Sequence, residues 1–193
     1  MENLIKKQIV VFGGCFNPPL NSHFSLAEQL IEEYNQIEKI IFMPVNSQYQ
    51  KVDLIENKHR YEMLKLVCNQ NEKFELYTIE TLTKLQKQYE KHEICFTMGS
   101  DNLKELETWS QAEKLIKNFK IYVFERDKDD TEEIIETNKF LKENRQAFII
   151  VKNIIKSSLS STLVREKIKE GKSIRYLTSD EIVSYIKQNN LYQ

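Results

Sequence analysis

At 193 residues, 40% hydrophobic and 30% charged, the chain is long enough to bury one substantial core and short for two, so a single globular domain over residues 1–193 is expected. Lys+Arg 28 against Asp+Glu 29 leaves a net charge of -1, which removes the global basic field of a nucleic-acid or anionic-membrane binder and leaves small anions to be held by local charge. Cys15, Cys68 and Cys95 are too dispersed for a disulfide framework or a close-spaced zinc site, Met1 to Lys7 carries no apolar signal region, and no run of about eighteen apolar residues occurs, so a soluble cytoplasmic protein is expected.

Short runs of branched and aromatic residues alternate with longer amphipathic stretches. In chain order they predict a strand at Gln8 to Gly13, a helix at His23 to Tyr34, a strand at Lys39 to Pro44, a helix at Arg60 to Cys68, a strand at Phe74 to Leu76 and a helix at Ile79 to Tyr89. The same pattern continues with a strand at Ile94 to Met98, a helix at Ala112 to Asn118, a strand at Lys120 to Phe124, a helix at Thr131 to Asn144, a strand at Ala147 to Val151, and helices at Thr162 to Glu170 and Asp180 to Asn189. Such alternation is the mark of an α/β protein, a doubly wound and mainly parallel sheet that binds ligands outside the carboxyl ends of its strands. Gly13-Gly14, Pro44, Gly99 and Arg126 fall at or just after such ends. Ser110-x-x-Glu113 and Thr178-x-x-Glu181 have capping-box spacing, and Gly171 fits a helix stop. The charged stretch Glu125 to Glu133 reads as a solvated loop, because ordered patterns resume directly after it.

The most informative stretch is Val10-Val11-Phe12-Gly13-Gly14-Cys15-Phe16-Asn17-Pro18-Pro19-Leu20-Asn21-Ser22-His23. It reads as a buried strand, a glycine turn and a helix opening on a histidine. Adjacent glycines let a backbone bend and approach a ligand closely, while a helix N-terminus offers free amides and a partial positive charge. That combination is an anion site, with phosphate the natural anion.

Three motifs in order carry a resemblance: Gly-Gly-x-Phe-Asn-Pro-Pro-x-x-x-His, then Met98-Gly99-Ser100-Asp101 with Trp109 eight residues on, then Ser160-Ser161-Thr162-Leu163-Val164-Arg165. His59-Arg60-Tyr61-Glu62-Met63-Leu64, Tyr77-Thr78-Ile79-Glu80-Thr81-Leu82 and the tail from Val183 to Tyr192 match in the same order. Together they resemble the nicotinate-nucleotide adenylyltransferases, in the nucleotidyltransferase superfamily with the HxGH signature. The resemblance implies a Rossmann-like nucleotidyltransferase fold and transfer of AMP from ATP, with Mg2+, to the 5'-phosphate of nicotinate or nicotinamide mononucleotide, releasing pyrophosphate. Two alternatives stay open, a same-fold enzyme with another phosphorylated acceptor and a catalytically weakened nucleotide-binding regulator. ATP and a pyridine mononucleotide are the implied partners, and a homo-oligomer is compatible with the sequence although no apolar face marks a subunit interface.

Carried over by position, the resemblance makes His23 and Arg165 the catalytic residues. Gly13, Gly14, Cys15, Phe16, Asn17, Lys51, Gly99, Asp101, Ser160, Ser161 and Thr162 would bind ATP, and Tyr77, Thr78, Trp109 and Arg126 the acceptor. These residue types suit phosphoryl chemistry on a pyridine nucleotide, with a histidine and an arginine for phosphoryl charge, serine and threonine at a helix start, and an indole to stack on a pyridine ring. No carboxylate cluster marks a protein metal site, so magnesium is expected to arrive with the triphosphate.

The departures are equally specific. Leu20 stands where the signature has histidine or threonine, Ser22 where it has glycine, and Cys15 where serine or threonine is usual. Losing one aligned donor from a charged transition state commonly costs about 10²- to 10³-fold in rate, so reduced activity is an expectation of this sequence. Phe74-Glu75-Leu76 runs directly into Tyr77-Thr78, shortening one wall of the acceptor pocket relative to the family.

Overall fold

The computed structural model describes residues 6–45, 53–77, 85, 87–109, 111–126, 129–155 and 157–193. Its strands are β1 (Gln8–Gly14), β2 (Ile37–Pro44), β3 (Phe74–Leu76), β4 (Glu93–Gly99), β5 (Lys120–Phe124) and β6 (Phe148–Val151). They form one sheet in the order β3-β2-β1-β4-β5-β6, every neighbouring pair parallel. The winding reverses between β1 and β4. Their ladder ends at Val11 opposite Phe96, while β1 runs on beside β2 to Gly14 and Pro44 and β4 beside β5 to Gly99 and Phe124. The two central strands therefore part at their carboxyl ends, where an open α/β sheet binds its ligand.

Side chains alternate across the sheet. Val10, Phe12, Ile40, Phe42 and Tyr122 face one way, into a core closed by α1 (Asn21–Glu33), α2 (Asn57–Cys68), α7 (Ser161–Lys169) and α8 (Asp180–Gln188). Ile9, Val11 and Ile41 face the other way with Leu85 and Ile94, and Ile121, Val123 and Ile150 pack against α3 (Ser100–Glu105), α4 (Ala112–Asn118), α5 (Thr131–Thr137) and α6 (Lys139–Glu143). Among the described residues, no helix is long and apolar enough to cross a membrane.

Several boundaries differ from expectation for local reasons. Helix α1 begins at Asn21, which places His23 inside its first turn. The stretch from 131 to 144 is two helices, because the Asn138 side chain accepts from Leu141 N at 3.0 Å and caps α6. Ala147 lies in a 3-10 turn and not in β6. Helix α3 has no counterpart among the expected elements, being a single short segment between Gly99 and a 3-10 turn. The expected capping box at Thr178 does not form, because α8 is capped by Ser179, whose hydroxyl accepts from Ile182 N at 3.3 Å; Ser110, of the other, lies outside the described residues, and the residue before α4 is Gln111. Gly171 does end α7, at φ 66° with its N–H on Ile168 O at 2.9 Å.

Arg60 on α2 is fully buried, at 0% exposed. Its guanidinium donates to three backbone carbonyls, from Nη1 to Cys15 O at 2.9 Å, from Nη2 to Val45 O at 2.8 Å and from Nε to Ile55 O at 3.2 Å. One side chain thus joins the segments after β1 and β2 and the approach to α2. Arg60→Met should strand all three acceptors and lower stability by about 2–4 kcal/mol, because the loss of three hydrogen bonds to a charged group, each worth ~1.5–3 kcal/mol, is partly offset by no longer burying the charge. Thermal melting should show a fall of roughly 5–15 °C.

Candidate active site

The turn after β1 is defined by where its carbonyls go. Gly14 O accepts from Val45 N at 2.9 Å, Cys15 O from Arg60 at 2.9 Å, Asn17 O from Arg165 Nη1 at 2.9 Å, Pro18 O from Ser161 Oγ at 2.8 Å and Pro19 O from Thr178 Oγ1 at 2.7 Å. The N–H groups of Cys15, Phe16, Asn17 and Ser22, by contrast, have no hydrogen-bond partner among the described residues. Acceptors turned inward and donors left free make an anion-binding concavity, reinforced by the N-terminus of α1. A Cβ built on Gly13 would meet nothing within 4 Å, so this glycine faces open space; one on Gly14 would lie 3.0 Å from the Phe16 ring.

His23 sits half-buried at this terminus. The Leu20 N–H donates to its Nδ1 at 3.0 Å. A backbone N–H can only donate, so Nδ1 holds a lone pair and the neutral ring carries its proton on Nε2. The Phe16 ring meets the imidazole edge-on, with centroids 5.2 Å apart. Burial, with the charge of Arg126 adding to it, lowers the His23 pKa from 6.5 to about 4. The histidine is therefore a neutral Nε2–H donor at physiological pH, and its contribution to stability, complete above pH 6.5, fades as pH falls through about 4. Leu20 itself is 0% exposed and packs in the main core. The signature position has lost a side-chain donor, and its backbone orients the remaining histidine.

Across the cleft, Gly99 ends β4 beneath an ion pair, Arg126 Nε to Asp101 Oδ1 at 3.3 Å. A Cβ on Gly99 would strike Asp101 Oδ1 and come within 2.6 Å of Arg126 Nε, so only glycine lets the pair lie there. The buried Ser100 hydroxyl fixes the loop carrying Arg126, accepting from Arg126 N at 2.9 Å and donating to Asp129 at 2.8 Å. The effect of Arg126 on His23 couples the two sides of the cleft.

Helix α7 forms a further wall. Ser160 caps it, accepting from Leu163 N at 3.2 Å, while Ser161 and Arg165 grip the turn and Thr162 Oγ1 accepts from Arg165 Nη2 at 3.4 Å. The structure therefore brings together Gly13 to Asn17, His23, Ser161 and Arg165, with Gly99, Asp101 and Arg126 on the facing strand ends. Phe16 and Asn17 are 2% and 4% exposed, so their side chains build the turn and do not line the cleft as ATP contacts.

The acceptor candidates lie further out. Tyr77 follows β3 at the sheet edge, its hydroxyl accepting from Gln88 Nε2 at 2.8 Å, and Trp109 is 37% exposed after α3 in a groove with Glu107 and Phe140. Lys51 and Thr78 lie outside the described residues. Among the described residues, no group of three or more His, Cys, Asp or Glu side chains could hold a metal. Sequence reasoning misses the work of Arg60, Ser100, Thr178 and Tyr192. All four act on backbone or amide groups distant in sequence, and no local spacing announces such a partner.

The Cytidylyltransferase-like family model matches residues 11–167. A probable nicotinate-nucleotide adenylyltransferase of Lachnoclostridium phytofermentans is 33% identical over 199 residues, covering 96% of this chain and 99% of the relative. Another, of Christiangramia forsetii, is 31% identical and covers 98% and 100% of the two chains. Among solved structures, Plasmodium falciparum nicotinic acid mononucleotide adenylyltransferase complexed with NaAD superposes with a TM-score of 0.76 at 21% identity, over 96% of this chain and 97% of that one, a likeness of fold. Matched by that model from β1 to α7, and almost end to end by relatives at this identity, the chain belongs to the cytidylyltransferase-like nucleotidyltransferases, in the nicotinate-nucleotide adenylyltransferase family.

Proposed function

We propose that this protein is an adenylyltransferase that joins ATP and nicotinate mononucleotide, with loss of pyrophosphate, to give the dinucleotide precursor of NAD. The observation that carries the reading is the inward pinning of the turn's carbonyls, which leaves amides and a neutral His23 donor facing one cleft. In the reaction a 5'-phosphate oxygen of the acceptor attacks the α-phosphorus of ATP, and the bond to the bridging oxygen of pyrophosphate breaks. The protein supplies positioning and stabilisation of phosphoryl charge. His23 donates from Nε2 to a phosphoryl oxygen, and the amides of Cys15 to Asn17 and of the α1 terminus hold the triphosphate.

Arg165 and the Ser160 to Thr162 segment flank the same anion, and Arg126 and Asp101 face it from the other side, the aspartate suited to accept from ribose hydroxyls. Trp109, Tyr77, Thr78 and, reaching from the facing strand end, Arg126 remain the acceptor-side assignments. Magnesium enters as part of the substrate, Mg-ATP, and neutralises phosphate charge there.

Pyrophosphate release from Mg-ATP should depend on nicotinate mononucleotide and exceed release with nicotinamide mononucleotide, pantetheine phosphate or no acceptor. Intact ATP binding with no turnover on any of them would contradict the reading. His23→Ala should lower kcat by roughly 10²- to 10³-fold while ATP affinity weakens only modestly, because the donor acts most strongly on charge that develops in the transition state. Gly99→Ala should keep the fold, since the displaced atoms end flexible side chains, yet reduce kcat/KM about tenfold or more by moving Arg126 and Asp101. Melting curves read beside steady-state kinetics separate the two effects.

A further inference from the structure

Asn17 has a buried side chain engaged on every side. Its Nδ2 donates to Asp53 O at 2.8 Å, and its Oδ1 accepts from Ile55 N at 3.4 Å and from the Tyr192 hydroxyl at 3.0 Å, a contact that spans 175 residues of chain. The hydroxyl is the better placed of the two donors to Oδ1.

The chain is bent to deliver it. After α8, Leu191 N donates to Ile186 O at 3.0 Å, and the backbone takes left-handed values at Asn190 (φ 49°) and again at Tyr192 (φ 67°). Residues with side chains adopt that conformation at an energetic cost and hold it where their surroundings enforce it. Leu191 and Tyr192 lie against the main core. Burial raises the phenol pKa, against the opposing charges of Arg165 and Arg60, so the hydroxyl stays a donor. Those two arginines hold Cys15 O and Asn17 O of the same turn. Tyr192 thus holds the side chain of the residue whose carbonyl Arg165 holds.

We propose that Tyr192 is a positioning residue for phosphoryl transfer, holding Asn17 from behind and so fixing where the turn amides and His23 stand, without touching substrate. The role rests on the adenylyltransferase reading. If Oδ1 loses the phenol it keeps only the long bond from Ile55, and the turn gains freedom at the place where donor alignment matters most. Misplacement of catalytic donors by a fraction of an ångström acts on kcat before it acts on acceptor binding.

The test is Tyr192→Phe in the full chain, with Tyr185→Phe as control. Tyr185 lies on the terminal helix that leads to Tyr192, but its hydroxyl bonds His59 Nδ1 at 2.9 Å, away from the turn. Tyr192→Phe should lower kcat about tenfold, leave the acceptor KM within twofold and melt within a few degrees of the parent, while Tyr185→Phe keeps the parental kcat. A Tyr192→Phe kcat within twofold of the parent, or an equal loss in both variants, would overturn the proposal. Calorimetric titration with Mg-ATP separates this from the parent reading. A parent that binds Mg-ATP but turns over no pyridine mononucleotide would end the acceptor assignment alone. In that event a several-fold weaker Mg-ATP affinity in Tyr192→Phe supports the positioning role, and equal affinity overturns it.

Discussion

The structure depends on one constraint, that the carbonyl oxygens between Gly14 and Pro19 point into the protein. Five of them are held by five residues from four places in the chain: Val45, Arg60, Ser161 with Arg165, and Thr178. Where a fixed carbonyl is followed by a residue with an N–H, the planar peptide obliges that amide to face the other way, as at Cys15 and Phe16. The binding surface is thus made by satisfying the acceptors behind it. Arg60 is the costly part of this arrangement, a guanidinium with no solvent exposure whose partners among the described residues are carbonyls and not a carboxylate. A buried cation without a counter-ion is unfavourable by itself, and beneath a site for a polyanion its field is used.

His23 shows how the same scaffold sets chemistry. The Leu20 amide decides its tautomer, Phe16 closes one side of the ring, and burial keeps it neutral to about pH 4. A neutral imidazole donating from Nε2 needs no proton from solvent to meet a phosphoryl oxygen. Positive charge in the cleft comes from Arg126 and Arg165, one on each side. The protein therefore concentrates positive potential locally while its net charge is -1. Arg126 pairs with Asp101 at 3.3 Å, an exposed pair that contributes little to stability and leaves the guanidinium free to exchange partners.

Much of this is legible in the sequence. Strand periodicity and the strand-helix alternation give the parallel sheet, and Gly13-Gly14, Gly99 and Ser160 to Arg165 mark its ligand-bearing end because glycine and capping residues report backbone demands locally. By motif alone Phe16 and Asn17 read as ATP-binding residues; their side chains are buried supports of the turn, which leaves their backbone amides for that role. Leu20 reads as a missing donor; its side chain belongs to the core and its amide to His23. Thr178 reads as a helix cap, yet its hydroxyl is spent on Pro19 and the neighbouring Ser179 caps α8. Such roles escape sequence reasoning because a hydroxyl or amide has several acceptors within its local reach, and only the fold selects among them, at Thr178 a carbonyl 159 residues away.

The site turns on a neutral His23 whose proton sits on Nε2. The direct measurement is a nitrogen-15 NMR titration of the His23 ring, without and with Mg-ATP. In the free protein Nδ1 should be non-protonated and Nε2 protonated down to about pH 4, with the transition moving upward when the anion binds. A ring that titrates near 6.5, or one protonated on Nδ1, would contradict it.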